Sequence, residues 1–127
     1  YVKIKTMELN ILAEMARTHV VPSLVRQLES FASTASKMPD GSARSLMEAK
    51  VERLSGIFER IEQSIERTAE VAARAEGLEE DLAAAADLLG AEGEKALTAL
   101  REACDAAEAE VERALWTLPK YSDMLNL

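Results

Sequence analysis

His19 and Cys104 are the only histidine and the only cysteine in the chain, so any side-chain catalysis or metal binding has few groups to work with. A histidine on a helix can ligate a metal or act as a general base. Carboxylate-bridged di-metal bundles, however, need a Glu three residues before each of two histidines, and here Ala16 takes that place before a histidine that has no second copy. Cys104 falls on the apolar stripe of a helical pattern with no base nearby to ionise it, so it reads as a small core hydrophobe. Alone, it can form no internal disulfide, and nothing calls for an oxidising compartment. Arg53, Arg60, Arg67 and Arg74 recur every seven residues and form one line down a helix, which could in principle grip phosphates. Glu52, Glu59 and Glu66 run alongside, with Glu70 placed to pair with Arg67 and Arg74, so the line reads as a solvated, charge-balanced face. Glycine-rich phosphate loops, a Ser-His-Asp set, paired CxxC motifs and the ligand spacing of a calcium loop are all missing. These 127 residues are therefore expected to hold no catalytic, cofactor-binding or metal-ligating residue.

The bulk properties point to helices. The chain is 48% hydrophobic but only 4% aromatic, rich in Ala and Glu, with five Gly and three Pro, which excludes an all-β fold and suits one helical domain. Net charge is −8 with an isoelectric point near 4.7, and the whole excess of acid resides in residues 77–127. Attraction to nucleic acid or to anionic lipid should be weak, since both need clustered Lys and Arg. No uncharged apolar run is long enough to span a bilayer, and Tyr1-Val2-Lys3-Ile4-Lys5 lacks the features of a secretory signal, so the expected location is the cytoplasm. The chain begins without Met inside a helical pattern, which suggests a fragment of something longer.

Three long helices are expected, in an antiparallel up-down-up bundle, each roughly 50 to 57 Å long at about 1.5 Å per residue. The first covers about residues 2–37. Its main stripe is Ile4, Met7, Ile11, Met15, Thr18, Val21, Val25, Leu28, Ala32 and Ala35, and a second apolar flank runs through Leu9, Leu12, Ala16, Val20, Leu24 and Phe31, so it should be covered on two sides. Pro22 in its interior predicts a kink near Thr18 to Val21. The turn at 38–43 concentrates Pro39, Asp40, Gly41 and Ser42, with Ser42 or Asp40 able to cap the next helix.

The second helix, about 44–76, carries the cleanest pattern. Met47, Val51, Leu54, Phe58, Ile61, Ile65, Thr68, Ala72 and Ala75 step 4, 3, 4, 3 without a fault, and Ile57 and Val71 widen that seam enough to touch two neighbours. Gly77 is a plausible stop. The third helix, about 78–116, repeats Leu78, Leu82, Ala86 and Leu89 and then, one residue out of phase, Leu97, Leu100, Cys104, Ala107, Val111, Ala114 and, at its end, Leu118. The shift coincides with Gly90 and Gly93, so a bend or break is expected at 90–93, leaving open whether 78–89 is a separate short helix. Five Met, at 7, 15, 38, 47 and 124, could mark a pliable binding surface, but those on the stripes read more simply as core filler.

Leu118-Pro119 ends the helical pattern, which leaves a non-helical tail at 117–127. With Trp116 before it, the tail gathers Leu118, Pro119, Tyr121, Met124 and Leu125, more large apolar surface than a solvated terminus needs, so these six are the expected docking residues. Tyr1, Lys3, Glu8, Met15-Ala16 and Pro22, together with the run Leu115 to Leu125 that holds Trp116, Pro119, Tyr121 and Leu125, resemble the C-terminal helical region of type III glutamine synthetases. Thr117 stands where that family often has a first proline, and Asn126 where it often has an aromatic.

The resemblance implies a parent enzyme that ligates ammonia to glutamate with ATP and magnesium or manganese, working as a large homo-oligomer. The family's nucleotide, metal and substrate residues would lie upstream of Tyr1. This piece would then be a non-catalytic assembly domain whose partners are the missing catalytic part of the same chain and neighbouring subunits. The competing expectation is an unrelated coiled-coil interaction module, based on the heptads of the second helix.

Overall fold

The computed structural model describes residues 1–78 and 80–111, and among these every regular element is helical. The first rod consists of α1 (Val2–Met15), a π-turn (Ala16–Val20) and α2 (Val21–Lys37). The second is a single helix, α3 (Ser42–Glu76). The third consists of α4 (Leu82–Leu88), a second π-turn (Leu89–Gly93) and α5 (Glu94–Glu110).

Pro22 explains the first π-turn. A proline inside a helix has no N–H to donate and its ring crowds the carbonyl four residues earlier. The chain widens by one residue per turn just before it, so the Val21 N–H reaches the Ala16 carbonyl. Nearby hydroxyls take up helix carbonyls: Ser23 Oγ donates to the His19 carbonyl at 3.0 Å, and Thr18 Oγ1 to the Glu14 carbonyl at 2.8 Å. The second π-turn sits at the glycine pair of the third rod. The eight-residue step from Leu89 to Leu97 contains one residue more than two helical turns hold, and the wider turn absorbs it.

The reversal at 38–41 is set by its residues. Met38, before Pro39, is extended at φ −85° and ψ 144°. Gly41 takes φ 155° and ψ −174°, a region that L side chains rarely enter, and occupies the cap position of α3. Neither Ser42 nor Asp40 caps that helix, contrary to the sequence expectation. Arg44 holds the turn instead, donating to the Met38 carbonyl at 3.1 Å while pairing with Asp40 and Glu48. One further boundary shifts. The third rod starts at Leu82 rather than 78, because Asp81 Oδ1 accepts the Ala84 N–H at 3.1 Å and fixes the start there. Among the described residues α5 runs to Glu110, and Val111 is extended and buried.

Ion pairs fix the direction of the rods. Lys5 pairs with Glu94, and Glu8 with Arg101 at 3.3 Å, so residue numbers rise together and the first and third rods run parallel. Arg53 meets Glu110 at 3.2 Å, and Asn10 Nδ2 donates to Glu76 at 3.5 Å, so α3 runs antiparallel to both. The three rods thus alternate in direction.

The central helix supplies most of the core. Leu54, Ile57, Ile61, Ile65, Val71, Ala72 and Ala75 are buried, following the seven-residue seam and its widening positions. One cluster joins the N-terminal half of that seam to Ala16, Val20, Leu24, Leu100 and Ala107. A second joins Val71, Ala72 and Ala75 to Leu9, Leu89 and Leu97. Many of the contacts on the flanking rods are Ala, which lets the helices approach closely.

Candidate docking face

Between Tyr1 and Met15 the neighbouring rods cover one apolar side of the first rod, where the sequence predicts cover on two. Leu9 and Ala16 of the second flank face the core together with Ala13, while Ile4, Met7 and Ile11 of the main stripe face outward. Ile4 is 73% exposed, Met7 57% and Ile11 59%. Met7 is therefore not core filler. The reason lies in the partner surface: α3 and α5 offer small Ala positions that accept Leu9 and the Ala row closely, and two rods can cover only one side of a third.

The outward stripe is a ridge with a hollow on each side. On the side of the α3–α4 corner an open groove of about 910 Å³ runs from Val2 to His19 along α1 and the first π-turn, with Ala75, Glu76 and Leu82 as its far wall. Leu82 is itself 64% exposed. On the α5 side a smaller hollow of about 420 Å³ is bounded by Leu12, Glu8 and Arg101. Thr6 lies at the base of the larger groove, and its buried Oγ1 has no hydrogen-bond partner among the described residues. Monomers rarely leave a continuous apolar face of this kind uncovered unless it binds something.

Charge rims this face but does not cross it. Lys3 and Glu14 stand on the larger groove's side of the ridge. On the other side Glu8 is held by Arg101 at 3.3 Å and Lys5 at 3.5 Å. Lys5 is 13% exposed, and the Glu94 carboxylate beside it raises its pKa above the ordinary 10.5, with Glu8 adding to the effect against a smaller cost of burial. Such a surface can bind an apolar partner with a polar rim. It offers no arrangement of nucleophile, base and oxyanion donors.

Of the residues singled out for chemistry, His19 lines one end of the larger groove and the others lie elsewhere. Cys104 is half-buried against the core, and burial, helped by the Asp105 charge, pushes its thiol up to about 11, so it is a neutral thiol at ordinary pH. The arginine line of α3 turns to carboxylates of the third rod. Arg53 pairs with Glu110, and both Arg74 and Arg67 reach Glu92, at 3.2 and 3.8 Å. That line is a brace between rods, where the sequence suggested pairing along one helix. Arg74 does also reach Glu70, at 4.0 Å. Among the described residues no three or more His, Cys, Asp or Glu side chains converge on a point where a metal could sit, and no helix is long and apolar enough to cross a membrane.

Trp116, Leu118, Pro119, Tyr121, Met124 and Leu125, the expected docking residues, lie outside the described residues. The residues of the face are legible in the sequence as one of two apolar sides, together more than a three-helix bundle can cover alone; which side stays outward is not legible there. Leu82, read as part of the third helix's buried repeat, was missed as a groove wall, although its place directly after the Asp81 cap could have signalled a first-turn position turned outward. Set against known protein families, curated proteins and solved structures, the chain matches none.

Proposed function

We propose that this helical unit is a non-catalytic structural and assembly domain, and that it docks through the outward face of α1. The observation that carries the reading is the exposed ridge of Ile4, Met7 and Ile11 beside an open apolar groove. The core beneath it is already filled, so the ridge serves no packing need within the described chain. The long seam of α3 is occupied internally, which leaves a coiled-coil adaptor acting through that helix without a surface.

The termini favour a type III glutamine synthetase as the parent, in which the ligation of ammonia to glutamate, with ATP and magnesium or manganese, belongs to residues upstream of Tyr1. The present residues would then position that catalytic part and join subunits of a homo-oligomer in the cytoplasm.

The test is the pair Met7→Glu and Ile11→Glu in the intact parent. Both sites are exposed, so the helices should still form. Sedimentation velocity is expected to show loss of the large assembly, with KM for glutamate changed less than about threefold in any protein that remains active. An assembly of unchanged size and thermal stability would overturn the proposal.

A further inference from the structure

From this docking reading we infer that the occupant of the α1 face is the α1 face of a second copy of the chain, set antiparallel across a two-fold axis near residues 8 and 9. The composition of the face favours it: the ridge between the two hollows exposes Ile4, Met7 and Ile11 in succession, and an apolar ridge can bury itself against its own kind. An axis at that level brings Met7 of each copy close to Ile11 of the other and Ile4 close to half-buried Met15, so the exposed apolar groups of the ridge cover one another.

The charges select this orientation over a parallel one. Lys3 and Glu14 are eleven residues apart, three helical turns, and so stand on the same flank of the ridge about 16 Å apart. A two-fold axis lying in the interface across the helices sets like flanks face to face. The same axis that pairs Met7 with Ile11 therefore puts Lys3 of each copy opposite Glu14 of the other, giving two ion pairs per dimer. Lys3 has no ion pair among the described residues, and the pair Glu14 already makes, with Arg17 at 2.9 Å, is exposed and local. A parallel pairing has its two-fold along the helices and sets opposite flanks face to face, so Lys3 and Glu14 would meet the flank of Glu8 and Arg101 and neither Lys3–Glu14 pair would form. On the opposite flank the two Glu8 side chains approach the axis, where each is already held by Arg101 and Lys5, so like charge does not oppose the pairing.

Sedimentation velocity of the 127-residue chain over a concentration series tests this. The wild type is expected to show a monomer–dimer equilibrium, and Met7→Glu to abolish it with unchanged helical circular dichroism. Lys3→Glu alone, or Glu14→Lys alone, replaces two attractive pairs with two repulsive ones and should raise the dimer dissociation constant about tenfold. The double variant K3E/E14K should restore it to within about twofold, a rescue that no other occupant of the groove would produce. A wild-type chain that stays monomeric throughout the series overturns the inference, as does a dimer that ignores the charge swap. If either result accompanies a parent whose assembly is still broken by Met7→Glu, the docking reading survives and only the identity of the occupant falls.

Discussion

Cys104 and Lys5 titrate in the same direction for different reasons, and together they set the alkaline limit of this fold. Burial keeps the Cys104 proton on to about pH 11, whereas an unfolded thiol loses it near 9. The folded state therefore binds more protons between those values, and stability falls as pH rises from about 9 to 11. The raised Lys5 contributes stability that is complete below 10.5 and is lost as pH rises through its higher folded value. Urea midpoints are expected to hold from pH 6 to 9 and then decline, less steeply in Cys104→Ala; a flat profile to pH 11 would contradict the assignment. For the same reason Cys104 should react with a thiol reagent at pH 8 at least about tenfold more slowly in the native protein than in denaturant. Exposure decides the other contrast at this scale. Ile61 is 0% exposed and its truncation to Ala should cost about 2–4 kcal/mol, whereas Ile11→Ala on the outer ridge should stay within about 0.5 kcal/mol by chemical denaturation under monomer conditions.

The helices differ in how much of them could be read from the residues alone. The central helix was legible nearly position by position, since a seven-residue repeat of branched residues has only one side to bury, and Leu54 through Ala75 lie there. The first rod has two apolar sides, and periodicity cannot rank them. The choice was made by the Ala positions on its neighbours, a fact of pairing that no single helix displays. Pro22 and the Gly90–Gly93 pair located the irregular turns, but their form depends on hydrogen bonding to Ala16 and to Leu89. Two glycines give opposite predictions within these elements. Gly56 is exposed in the interior of α3 with open space around it, so Gly56→Ala should add about 0.5–1 kcal/mol and raise Tm by a few degrees. Gly41 has equal space but φ 155°, so Gly41→Ala should cost about 1–2 kcal/mol through backbone strain alone. Calorimetry on the two variants checks both signs.

Across the molecule, exposed ion pairs bridge the rods at both ends while the apolar clusters sit between them, so salt should loosen rod pairing only modestly. If the parent is the glutamine synthetase proposed above, Trp116→Ala in it should weaken the assembly more than it alters substrate affinity, and an unchanged sedimentation profile would count against it. The two π-turns carry a further implication for this chain's history. Each holds one residue beyond what a regular helix needs, with the segments on either side already facing their proper neighbours. Excision of exposed Gly90 would close the wide turn into an ordinary one and leave Ala85 and Leu97 where they are, whereas excision of one residue from the middle of α3 would rotate half its seam out of the core. Homologues should accordingly vary in length inside these rods, at 16–20 and 89–93, as readily as in the loops that join them.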